Sequence, residues 1–127
     1  MPNRVIKISS LVKEVRERGI CSIEDPLPLS LDKDIRVPGA EVEEVARALK
    51  HLSEPSKLKI LALLYYNGPL PVCIISYSLG LSQTLVSHHL RAMRMAGLVG
   101  YERVGKYKLY RLTSSSEKIL TALLTRS

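Results

Sequence analysis

A mainly α-helical fold carrying one small two-stranded hairpin is predicted by three features of the sequence. Apolar residues recur at a helical period through most of the chain. That period switches to alternation only between Val99 and Leu112, and glycine or proline stands at most changes of segment. A chain of 127 residues fits about one domain. Hydrophobic residues at 46% and charged residues at 24% are the proportions of a chain that folds, which excludes wholesale disorder.

Val5, Ile8, Val12 and Val15 predict a first helix running through Arg18, with Gly19 as its stop. Residues 20–40 hold Pro26, Pro28, Pro38 and Gly39, so an extended connector is expected, and its apolar residues, among them Ile23, Leu27, Leu29, Leu31, Ile35 and Val37, are expected to pack. A second helix begins at Glu41, where Glu41, Glu43 and Glu44 suit the positive end of its dipole; Val42, Val45, Leu49 and Leu52 form one apolar stripe. Ser53 is expected to cap a third helix that has Pro55 in its first turn and ends at Asn67-Gly68. Pro71 opens a short fourth helix closed by Gly80, and Ser82 caps a fifth that runs to about Ala96, before Gly97. Two strands then alternate around a turn at Val104-Gly105-Lys106, and Thr113 to Ser116 supply caps for a last helix with Ile119, Leu120, Leu123 and Leu124 on its apolar face.

The fourth and fifth helices form the layout of a helix-turn-helix, whose second helix enters a DNA major groove. Ser76 is small where the two must approach, and Val86 and Leu90 point back into the core. The exposed face is then Ser82, Gln83, Thr84, Ser87, His88 and Arg91, of which Gln83 can pair with adenine and Arg91 with guanine or phosphate. The hairpin that follows has the character of a wing, with Arg103, Lys106 and Lys108 suited to phosphate contacts.

Charge is concentrated in the same region. The chain carries 19 Lys and Arg against 12 Asp and Glu, a formal net charge of +7. Residues 82–112 contain Arg91, Arg94, Arg103, Lys106, Lys108 and Arg111, opposed only by Glu102. A polyanionic partner follows more readily from this cluster than from the total.

The stretches LKHLSEPSKLKIL at 49–61, LGLSQTLVSHHLRAMRMAGLV at 79–99 and GKYKLYRLT at 105–113 resemble the ArsR/SmtB winged helix-turn-helix repressors over about half the chain. The resemblance implies a homodimer on a palindromic double-stranded operator, with helices outside the winged core forming the dimer interface. The expected division is residues 1–40 for a helix and connector serving dimerisation or partner contact, 41–113 for the winged helix-turn-helix, and 114–127 for a C-terminal dimerisation helix. Metal-sensing relatives carry a Cys-Val-Cys element before the turn. Here Pro71-Val72-Cys73 retains one of those thiols, and Ile74 stands where an acidic residue is common. A second family site uses Asp and His on the last helix, and 114–127 contains neither. The expectation is a regulator without an intact metal site, with no cofactor and an unidentified effector.

No nucleophile-and-base pair, paired carboxylates or phosphate-binding glycine loop is visible, so no enzymatic activity is expected. Adjacent His88 and His89 diverge by about 100° on a helix and make a poor metal pair. No apolar run reaches the roughly 18 residues of a membrane span, and Met1–Ser10 lacks the pattern of a signal peptide, so a cytoplasmic protein is expected. Cys73, among Val72, Ile74 and Ile75, is expected to be a buried small apolar residue and Cys21 an exposed thiol; the two are the candidates for a redox role. Two other readings are a winged-helix module for protein interaction, against which the charge cluster argues, and an architectural DNA binder of low specificity, against which the polar face of 82–96 argues.

Overall fold

The computed structural model describes residues 4–24 and 28–124. The chain divides into two compact units, Met1–Val45 and Ala46–Ser127.

In the first unit, strand β1 (Arg4–Lys7) leads directly into helix α1 (Ile8–Glu17), and β1 pairs antiparallel with β2 (Asp34–Val37). The expected helix from Val5 is therefore shorter at its start, and part of the expected connector is a strand. The cause is pairing: the β-branched Val5 and Ile6 of Arg4-Val5-Ile6-Lys7 face alternating Asp34-Ile35-Arg36-Val37, in the register Val5↔Arg36 and Ile6↔Ile35. Lys7 pairs with Asp34 at 2.8 Å directly across the ladder. Ile8 and Val12 are the buried residues of α1. The connector is less packed than its apolar content predicts: Leu29 and Leu31 are about half exposed, and Leu27 lies outside the described residues.

Helix α2 (Ala40–Leu52) begins with its acidic residues as expected, yet only Ala48 and Leu52 are buried. Val42, Val45 and Leu49 of the predicted stripe stay exposed. Ser53 does not cap the next helix. Its hydroxyl donates to the Lys50 carbonyl at 2.8 Å, closing α2, while Glu54 is the first boundary residue of α3 (Pro55–Asn67).

The second unit continues with α4 (Val72–Leu79), α5 (Gln83–Met95), β3 (Val99–Val104), β4 (Tyr107–Leu112) and α6 (Ser114–Leu123). Its core takes Ile60 and Leu61 from α3, Ile75 from α4, Val86, Leu90 and Met93 from α5, then Leu98, Val99 and Leu120, all fully or almost fully buried. At such sites truncation to alanine typically costs ~2–5 kcal/mol, because lost transfer energy and an unfilled cavity add. The hairpin gains a short third partner: Leu70 and Tyr110 exchange backbone hydrogen bonds of 3.0 and 2.9 Å.

Helix α6 starts on a reciprocal cap, in which the Ser116 hydroxyl oxygen accepts from the Thr113 N–H at 3.1 Å and Thr113 Oγ1 accepts from the Ser116 N–H. The buried Ser116 hydroxyl donates to the Leu98 carbonyl at 2.6 Å and that of Thr113 to Gly97 at 2.7 Å, so the cap also fastens α6 to the start of the hairpin. Ser116→Ala is expected to lower unfolding stability by ~1–2 kcal/mol, and Ser114→Ala, at an exposed position of the same turn, to change it little. Urea denaturation of both variants checks this; equal losses would refute the assignment.

Candidate nucleic-acid interface

The turn between α4 and α5 is built by two backbone bonds across a left-handed residue. Gly80 adopts φ +66°, the Leu81 N–H donates to the Ser76 carbonyl at 3.0 Å, and the Gly80 N–H donates to Tyr77 at 3.3 Å. Ser76 is buried, and its hydroxyl is satisfied inside its own helix by the Cys73 carbonyl at 3.2 Å. The Ser82 side chain then accepts the Leu85 N–H at 3.1 Å and caps α5.

With Val86, His89, Leu90 and Met93 turned inward at three- and four-residue spacing, α5 exposes Gln83, Thr84, Ser87, His88 and Arg91 together on its outer side. The cap leaves the Ser82 O–H free to donate outward. Leu85, 37% exposed, adds an apolar group of the kind that meets a thymine methyl, and was absent from the sequence-based set. The first turn of α5 holds no acidic residue, so its positive dipole end is uncompensated.

Helix α5 passes into the hairpin through a second turn of the same type. Gly97 has φ +76°, the Leu98 N–H donates to Met93 at 2.9 Å and the Gly97 N–H to Arg94 at 3.0 Å. In the hairpin Arg103 stands directly opposite Lys108, and Tyr101 opposite Tyr110. Arg103 and Lys106 are exposed. Lys108 is half-buried, with its ammonium 4.5 Å from the centre of the Tyr101 ring, which also carries the Arg94 guanidinium at 5.2 Å. Lys106 lies 5.5 Å from the Tyr107 ring. Arg94 and Tyr101 were missed as site residues. The available signals were the three-residue spacing of Arg91 and Arg94 and the place of Tyr101 on the Val99–Arg103 face.

Among the described residues, Arg91, Arg94, Arg103, Lys106, Lys108 and Arg111 make no ion pair, whereas Lys7, Arg18 and Lys57 do. A like-charged cross-strand pair such as Arg103 and Lys108 is destabilising by itself. Arg103 and Lys108 share one face of the hairpin with Tyr101, against which Arg94 also lies, whereas Arg111 belongs to the opposite face; the cations without ion pairs on α5 and the hairpin suit a polyanion.

Beneath α5 lies a different cluster. His89, 6% exposed, approaches Glu54 at 3.5 Å; Glu54 pairs with Lys57 at 3.3 Å, and Lys57 lies 3.1 Å from His51 Nδ1. His51 thus belongs to this cluster. Burial lowers the pKa of His89, Glu54 pulls the other way, and Lys57 and His88 add to the lowering. Burial also lowers His51, assisted by Lys57 and Lys50 and opposed by Glu54. His89 Nδ1 is buried without a hydrogen-bond partner.

Cys73 is exposed, contrary to expectation, as is Cys21; both are free thiols. Cys73 lies two positions, or about 200°, from Ile75, which takes the inward face of α4. Among the described residues no group of three or more His, Cys, Asp or Glu could hold a metal ion, and no helix is long and apolar enough to cross a membrane.

Residues 54–101 match the family model described as "Bacterial regulatory protein, arsR family". The regulator NmtR of Mycobacterium tuberculosis is 45% identical over 69 residues, which span 54% of this chain and 57% of that protein. The HTH-type transcriptional regulator MJ1325 of Methanocaldococcus jannaschii is 33% identical over 82 residues, 65% of this chain and 92% of that one. Among solved structures, the homodimeric winged helix-turn-helix DNA-binding domain of Mb0332 from Mycobacterium bovis superposes with a TM-score of 0.59 at 34% identity, covering 66% of this chain and 77% of that one.

Because the folded-state pKa of His89 and of His51 lies below the ordinary 6.5, the unfolded chain binds these protons more tightly. Their contribution to stability is fully present above pH 6.5 and is lost as pH falls below it. His89→Gln is expected to flatten the fall in urea midpoint between about pH 7.5 and about pH 5.5. An unchanged slope would show that the buried ring does not titrate in this way.

Proposed function

The chain belongs to the ArsR family of bacterial regulatory proteins, and on that premise we propose that it is a cytoplasmic homodimeric repressor that binds a palindromic operator in double-stranded DNA. The observation that carries this reading is the outer side of α5, where Gln83, Thr84, Ser87, His88 and Arg91 are exposed together beside cations that have no carboxylate partner. In this reading Ser82 and residues 83–91 contact the major groove, with Gln83 and Arg91 reading bases. Arg103, Lys106 and Lys108 hold phosphates and supply affinity for any sequence. Dimerisation is supported by the exposed Val42, Val45 and Leu49 of α2 and by the homodimeric state of the Mycobacterium bovis domain. Two-fold symmetry then sets the two α5 helices about 34 Å apart, one duplex turn. The single thiol of Pro71-Val72-Cys73 and the lack of Asp and His in 114–127 support a repressor without an intact family metal site.

Fluorescence anisotropy with selected and randomised duplexes at two salt concentrations tests the reading. Gln83→Ala and Arg91→Ala are expected to weaken selected-site binding by ~1–3 kcal/mol each while sparing random DNA. Lys106→Ala is expected to weaken both alike and to reduce the salt slope by about one. Equal losses on both duplexes for all three variants would show these roles to be wrong. Weak binding by the unmodified protein, without sequence preference, would favour the architectural reading.

Exposure of both thiols supports Cys21 and Cys73 as redox candidates. Oxidant treatment is expected to give a disulfide-linked species on non-reducing electrophoresis that Cys73→Ser diminishes; reduced monomer alone would remove this role.

A further inference from the structure

The face of the hairpin that starts at buried Val99 continues through Tyr101 to Arg103, opposite Leu112, Tyr110 and Lys108. On this face the Tyr101 ring meets two cations from different elements, Arg94 of α5 at 5.2 Å and Lys108 of β4 at 4.5 Å. Tyr110 supports the ring with its centroid 5.5 Å away and its plane tilted by 50°. We propose that Tyr101 is a positioning residue for phosphate binding: its ring holds Arg94 and Lys108 in place, so that the C-terminal end of α5 and the wing present two preformed cations to the duplex backbone. The proposal deepens the DNA-binding reading above and rests on it.

Two cations gathered at one ring repel each other, and among the described residues no carboxylate pairs with either. Attraction to the ring face supplies the local compensation. It also leaves the cations available. A guanidinium on an aromatic face keeps its N–H donors at its edge, and an ammonium keeps those not turned to the ring. A carboxylate in the same place would order these side chains and also neutralise them. An aromatic ring orders them with their charge intact, which reduces the entropy lost when they meet a phosphate. If the ring served only as packing surface for the aliphatic stems, its loss would lower stability but leave the number of phosphate contacts unchanged.

The salt dependence of binding separates these cases. Tyr101→Leu is expected to weaken selected and random duplexes alike by about tenfold and to lower the salt slope by between about one and two, because each lost phosphate contact removes about 0.9. Tyr101→Phe, which keeps the ring, is expected to retain both affinity and slope. An unaltered slope in a folded Tyr101→Leu protein overturns the proposal, as does a loss in Tyr101→Phe equal to that in Tyr101→Leu. Should leucine at this position cost the fold, R94Q/K108Q must by itself lower the slope by about two, and an unchanged slope there overturns the proposal equally. Unmodified protein that binds no duplex would overturn the parent reading instead, a result visible before any variant is made.

Discussion

The turn at Gly80 is the constraint on which the candidate interface depends. A left-handed residue there redirects the chain within three residues, and the bond from Leu81 to Ser76 fastens that turn to the last turn of α4. Only then do Ile75 of α4 and Val86 and Leu90 of α5 share one core. The outer side of α5 is a consequence of this packing: the helix cannot rotate about its axis without withdrawing Val86 or Leu90 from the core. Ser76 makes the close approach tolerable because it is small and its hydroxyl is satisfied within α4. A larger side chain would separate the helices, and an unbonded hydroxyl would add a desolvation cost.

Charge is distributed by an opposite logic in the two parts of the site. Beneath α5, Glu54, Lys57 and His89 compensate one another, and burial keeps the imidazole toward its neutral form. On the outside, among the described residues, the cations have no carboxylate partner and two of them face each other across the hairpin. Cross-strand repulsion is normally removed by exchanging one residue for an acid. Its presence beside Tyr101 and α5 is what a surface made for an external polyanion looks like, and it lowers the stability of the isolated hairpin in return.

Local features were legible in the sequence and nonlocal ones were not. Gly80, Ser82, Val86, Leu90 and Gly97 each act within a few residues of themselves, so the turn, the cap, the inward stripe and the helix end could be read directly. The helical face also fixed Gln83, Thr84, Ser87, His88 and Arg91 as a set, because α5 obeys the spacing on which that inference rests. The pairing of Arg4–Lys7 with Asp34–Val37 could not be read, since the first segment fits a helical pattern as well and its partner lies beyond an intervening helix. The aromatic support of Lys108 and the approach of His89 to Glu54 likewise need tertiary contact. Cys73 was misplaced by composition: its neighbours are apolar, but α4 buries only Ile75 and Ser76, so most of its apolar residues stay outside the core.

Helix α5 is bounded at both ends by turns of the same tight kind, and the one at Gly97 delivers the chain straight into β3. The cap of α6 grips that junction through Leu98 and Gly97. Backbone and side-chain hydrogen bonds at Gly97 and Leu98 thus tie the end of the helix, the start of the hairpin and the cap of α6 to one another. Where elements so tied engage a duplex, groove width and phosphate path must conform to their spacing, and the energy of that adjustment varies with base sequence at positions no side chain touches. On the proposed reading, DNA stiffness would then become part of what the protein selects.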